Sequence, residues 1–141
     1  MVSVKQTYLY KGAIIMNKSQ IINKMISVIK YYAEKYKLEV SEPTYDKAFK
    51  NSIWEGLIED DSGIPNIIAD NENMVVELRS FWGRPELSVS YNSGLLVLQY
   101  KENSQTHQYE VCEFRAVGFD YLRKIEELES IIKFIENEES L

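Results

Sequence analysis

Few residues in this chain of 141 have the types and spacing that chemistry needs. The single histidine, His107, lies five positions before the single cysteine, Cys112. A structural zinc site takes four soft ligands, and this pair supplies two. In a straight strand the two would also face opposite sides. One cysteine makes no internal disulfide. The pair therefore reads as an exposed turn histidine and a small buried thiol, and no metal or cofactor is expected.

Carboxylates are more plentiful. Glu59, Asp60 and Asp61 lead into a turn signal that begins at Asp60, with Asp70 and Glu72 about ten residues on. Hard cations favour such oxygens, but the ligand spacing and glycine of an EF-hand loop are absent. Solvated turn residues are the simpler reading. Glu55 and Glu77 could meet on a sheet and do acid–base work. No Gly-x-Ser-x-Gly elbow accompanies His107, and the six glycines are scattered singly, with no phosphate-cradling loop. Catalysis is accordingly not the expected activity.

The run Arg79, Ser80, Phe81, Trp82, Gly83, Arg84 combines tryptophan and arginine, side chains enriched at interface hot spots. It has two readings. Either Phe81 and Trp82 close the edge of the core, which is slightly favoured, or Trp82 and Arg84 stand at a strand end as contact residues.

Charge adds a second hint. The chain carries a net charge of -6 and a pI near 4.9. Residues 16–50 hold seven lysines against four acids, whereas residues 51–141 hold seven bases against eighteen acids. An acidic surface speeds and orients association with a basic partner; the equally weighted alternative is that the lysine-bearing helix simply lies near the acidic body and the excess charge aids solubility. The low pI argues against nucleic acid as a partner. If the protein works by contact, the residues to expect at the interface are Trp82, Arg84, Glu59, Asp60, Asp61, Glu72 and Glu77.

Elements that position these residues follow from periodicity. Ile22, Met25, Ile29, Tyr32 and Tyr36 recur at spacings of three and four, widened by Ile21, Val28 and Ala33, which predicts a helix over residues 19–37 capped by Ser19. Pro43 bars its continuation, and residues 38–40 start a turn or short strand. Residues 45–58 are ambiguous: Thr44 could cap a short helix carrying Tyr45, Ala48 and Phe49, and from Ile53 the pattern turns strand-like. Residues 60–65 form a turn signal.

Short strands then follow one another. Residues 67–69 lead to a turn at Asp70 and Asn71. Met74, Val76 and Leu78 alternate with Val75, Glu77 and Arg79, and Leu87, Val89 and Tyr91 alternate with Ser88 and Ser90. Residues 82–85 turn the chain between these two runs. A loop at residues 92–94 places Gly94 in a left-handed position. The near-continuous apolar run over residues 95–101 predicts a central strand covered on both faces. Residues 106–116 make the last strand. Asp120 caps a helix over residues 121–136 whose core face is Tyr121, Ile125, Leu128, Ile132 and Ile135.

The predicted fold is an α+β two-layer sandwich: an antiparallel meander of four to six strands flanked by an N-terminal and a C-terminal helix on one face. Residues 16–141 form one domain. Residues 1–15 read as a translated upstream segment, because Lys11, Gly12 and Ala13 can be encoded by a purine-rich ribosome-binding sequence at a normal spacing before Met16; the alternative is that Met1 is the start and the segment is a flexible arm or an added strand.

Apolar residues make up 45% of the chain, enough for a core, yet no run is long enough to span a membrane. With no signal-peptide pattern, the cytoplasm is the expected compartment. Lysines outnumber arginines twelve to four, and Ile, Asn and Tyr are frequent, a bias of AT-rich codons that suggests a low-GC bacterium or its phage. Together these features suggest a small acidic inhibitor or adaptor, of immunity or anti-defence type, that binds a basic toxin or defence protein. A small enzyme or ligand-binding domain using sheet carboxylates is the alternative, and a homodimer is a third arrangement.

Overall fold

A computed structural model describes residues 2–3, 16–44, 63–137 and 139–141. The elements in order are β1 (Val2–Ser3), α1 (Lys18–Tyr36), β2 (Glu39–Val40), β3 (Ile67–Asp70), β4 (Met74–Phe81), β5 (Arg84–Tyr91), β6 (Gly94–Glu102), β7 (Tyr109–Gly118) and α2 (Tyr121–Asn137). The expected α+β sandwich is present. Strands β2 to β7 form a six-stranded antiparallel meander, and β1 adds a two-residue strand beside β7. The ambiguous stretch over residues 45–58 lies outside the described residues. Thr44, the candidate cap of that stretch, forms an isolated antiparallel bridge with Asn66.

Both helices cover one sheet face. Helix α1 lies over β3, β4 and β5, α2 lies over β6 and β7, and the two touch each other. Alternation decides which side chains they meet. Met74, Val76, Leu78, Leu87, Val89, Leu96, Leu98, Phe114 and Ala116 join Met25, Ile29, Leu128 and Ile132 in one core. Strand β6 is central and buried on both sides, as its apolar run predicts: Leu96 through Tyr100 are all buried.

Caps and turns depart from expectation in instructive ways. The cap of α1 is Asn17 rather than Ser19, with a reciprocal capping box between Asn17 and Gln20. Asp120 has φ 56°, which is not the extended geometry of an N-cap; its carboxylate instead reaches Arg123 Nε at 3.5 Å. The first hairpin turns on Trp82 and Gly83 alone, at φ 52° and 81°, and β5 begins at Arg84. In the second, Asn92 and Ser93 take the left-handed conformations, at φ 49° and 57°, and Gly94 is an ordinary strand residue. Its missing side chain leaves room for Lys124, whose Cε would stand 2.5 Å from a Cβ there.

Lys124 was not expected in the core, yet it is 1% exposed. Its ammonium donates to the Phe119 carbonyl and sits 4.6 Å from the centre of the Tyr91 ring. Tyr121, expected inside, is 37% exposed. The reason is phase: Leu128, Ile131, Ile132 and Ile135 define the buried stripe, and Lys124 rather than Tyr121 continues it toward the helix start.

Glu127 ties the layers together. Its carboxylate accepts hydrogen bonds from the hydroxyl of Tyr32 on α1 and, at 2.6 Å, from that of Tyr91 at the end of β5. Burial first, and then the Glu127 charge, push the Tyr32 phenol above its ordinary value. Charge-assisted bonds are worth about 1.5–3 kcal/mol each, so Glu127→Ala is expected to lower stability by about 2–4 kcal/mol in urea unfolding.

Glu136 gives a pH-linked prediction. Burial pushes its carboxyl from 4.5 up to about 7, partly offset by the Tyr100 hydroxyl. The folded state therefore holds this proton more tightly than the unfolded chain does. Stability contributed through this group is full below the ordinary carboxyl range and falls as pH rises from 4.5 through about 7. Between about pH 5 and about pH 8, wild type should lose about 1–3 kcal/mol relative to Glu136→Gln, after allowance for partial solvent screening. Paired urea titrations at the two pH values check this.

Candidate functional site

The sheet face away from the helices carries the polar chemistry. Register arranges it in cross-strand rows. Arg115, Val97, Ser88 and Glu77 stand side by side across β7, β6, β5 and β4, and Glu113, Gln99, Glu86 and Arg79 form the next row. These residues, with Leu95, Phe81 and Arg84, line a groove of about 420 Å³. The short side chains of Val97 and Ser88 lie mid-row between the longer, charged Arg115 and Glu77. Val97 is only 3% exposed despite facing away from the helices.

A buried carboxylate organises the second row. Glu86 is 6% exposed, and both its oxygens are engaged. Arg79 Nε donates to Oε1 at 2.8 Å, and Gln99 Nε2 donates to Oε2 at 2.8 Å. The remaining oxygen of Gln99 accepts from Arg84 Nη1 at 3.4 Å and from the Cys112 thiol at 3.2 Å. That last contact depends on an irregularity in register between Gln99 and Tyr100. An extra β7 residue at this bulge lets Cys112 reach the same face as Glu113.

The first row is less complete. Arg115 Nη1 lies 3.9 Å from Glu113 Oε1, beyond hydrogen-bond distance, and its buried Nε has no hydrogen-bond partner. On the opposite wall, Glu77 Oε2 accepts from Asn66 Nδ2 at 2.9 Å.

The interface residues expected from sequence fall into three groups. Arg84 and Glu77 are brought to this face, on the groove wall, and Trp82 stands at the tip of the adjoining β4–β5 hairpin. Glu72 is exposed before β4, at the opposite end of that strand from Trp82, roughly 25 Å away along an eight-residue strand. Glu59, Asp60 and Asp61 lie outside the described residues, as does Glu55, so its pairing with Glu77 does too. Trp82 does not close the core edge. It is 66% exposed, and Phe81 is 39% exposed.

His107 stands in the turn before β7 at φ 60°, exposed and 3.3 Å from Glu102. The straight-strand argument about its side relative to Cys112 therefore does not apply. Among the described residues no cluster of three metal-ligating side chains occurs. Burial chiefly pushes the Cys112 thiol up, against the opposing pull of Arg84 and Lys101. That direction is the opposite of the one that activates a cysteine nucleophile.

Sequence reasoning missed Glu86, Gln99, Arg115 and Glu113. The available signal was Gln99, a polar residue inside a strand otherwise read as apolar on both faces, since a buried amide needs partners.

The chain matches no family model, no curated protein and no solved structure. Among the described residues no helix is long and apolar enough to cross a membrane.

Removing the organising carboxylate should be costly. Glu86→Ala is expected to lose about 2–4 kcal/mol, because Arg79 and Gln99 then lose a shared acceptor. Urea unfolding measures it, with the exposed Glu110→Ala expected within about 0.5 kcal/mol of wild type.

Proposed function

We propose that the protein is a non-catalytic binding module, an inhibitor or adaptor that meets a protein partner with its open sheet face and the Trp82 hairpin. Trp82 carries this reading. A bulky residue at φ 52° occupies a left-handed conformation that glycine or asparagine adopts more cheaply. The ring is largely in solvent, so core packing offers no compensation. An uncompensated, strained, exposed tryptophan is a reason to suspect function, and tryptophan is a favoured interface anchor. Phe81 and Arg84, paired across the same hairpin, extend the surface.

The setting is the one composition suggests: the cytoplasm of a low-GC bacterium, with an immunity or anti-defence role against a basic toxin or defence protein. The groove holds three glutamates and three arginines, so long-range steering would come from acids elsewhere on the chain. A small ligand-binding domain is the second reading, favoured by the groove and its convergent polar groups.

Trp82→Asn separates strain from contact. It creates an asparagine–glycine turn, so stability should rise by about 0.5–1 kcal/mol, while recovery of a stoichiometric partner from host extract should fall at least fivefold. Undiminished recovery by this bait would overturn the proposal.

A further inference from the structure

We infer that the groove takes a dipolar ligand, its anionic group against Arg115 and its cationic group against Glu77. This rests on the reading of the open face as a binding surface and specifies what that face recognises.

The two rows of the groove differ in what they have left to offer. In the row of Glu86, the carboxylate has both oxygens occupied, by Arg79 and by Gln99. The Gln99 oxygen already accepts from Arg84 and Cys112. That row is internally satisfied. In the adjacent row, Arg115 Nε is buried without an acceptor, and the nearest carboxylate contact of its guanidinium is 3.9 Å. A buried donor left unmatched is costly, and an arginine fork matches a carboxylate in two bonds. At the other end of the row, Glu77 is held by one neutral donor, Asn66, with no cation within ion-pair distance among the described residues. Between them lie only Val97 and Ser88, in register with both.

An arginine with an unmatched donor and only a long ion pair to Glu113 on one wall, and a glutamate with no cation among the described residues on the other, select for a ligand carrying both charges. A simple anion would satisfy Arg115 but face Glu77 and Glu113. A simple cation would satisfy Glu77 but face Arg115 and Arg84. Strands β7 and β4 are three spacings apart, about 14 Å between backbones before the side chains lean in. An extended ligand is therefore required, with its charges separated as in a short peptide segment bearing one acidic and one basic side chain. A partner's surface segment is the source consistent with the Trp82 hairpin beside the groove; a free basic amino acid has related chemistry and a smaller span.

The test is an NMR titration of the ¹⁵N-labelled chain with four probes: a terminally blocked peptide carrying one aspartate and one lysine, the aspartate-only and lysine-only peptides, and free L-lysine. The blocked two-charge peptide should give saturable shifts at Val97, Ser88 and Gln99, and bind at least fivefold more tightly than either single-charge peptide. Tighter binding of free lysine would support the site with a small-molecule source. Glu77→Gln and Arg115→Gln should each weaken the two-charge peptide at least fivefold, as should Arg115→Lys, which keeps the charge and most of the packing but loses Nε. Thermal unfolding checks that each variant is folded. Equal binding of a single-charge peptide, unchanged binding by the folded variants, or no saturable shift with either the two-charge peptide or free lysine overturns the inference. Partner recovery that depends on Trp82 but not on Arg115 or Glu77 also overturns it, while leaving the binding-module reading standing.

Discussion

The structure depends on one asymmetry: both helices pack on the same side of a six-stranded sheet. With α1 over β3 to β5 and α2 over β6 and β7, alternate side chains of those five strands are consumed in the core. The other half must hold a sheet face without helical cover. Central strand β6 shows the consequence, because Val97 and Gln99 are buried there without a helix above them. A buried amide on that face forces a partner, and Glu86 supplies it. Glu86 in turn requires a cation, and Arg79 supplies that. The polar lattice of the open face follows from the need to satisfy groups that strand alternation places there.

The helix side solves a related problem differently. Glu127 and Lys124 both lie on α2 near the end of β5, where Tyr91 meets them. Glu127 accepts from two tyrosines, and Lys124 rests against the ring of one of them and donates to the chain just before its own helix. The helix layer is thus pinned to the sheet at one end by directional bonds and elsewhere by apolar contact. The groove opens on the opposite face, so its chemistry can vary without disturbing that pin.

Much of this was legible in the sequence. Period-two alternation in residues 74–79 and 87–91 marked which side chains point to the core, and the apolar run after Gly94 marked the central strand. The helices were placed within one or two residues, but their caps were not. Asn17 and Ser19 are both sound N-cap types, and only the reciprocal bond to Gln20 distinguishes them. Lys124 is absent from the predicted core face because a charged residue reads as solvent-facing, whereas Gly94 opens the space that admits it. The turn at residues 92–94 was assigned to glycine by type, although Asn92 and Ser93 bear the positive φ angles. The site was legible only in part. Trp82, Arg84 and Glu77 were chosen by type, but strand register, which sequence does not reveal, decides that Arg115, Val97, Ser88 and Glu77 share a row.

The central claim is that contact occurs through the open face and its hairpin rather than through the helix layer. In-cell photo-crosslinking tests it directly, with a photoreactive phenylalanine analogue placed at Trp82 in one strain and at the exposed Glu126 of α2 in another. A discrete covalent adduct is expected from the Trp82 position and none from Glu126. An adduct from Glu126 alone, or from neither, would contradict the claim.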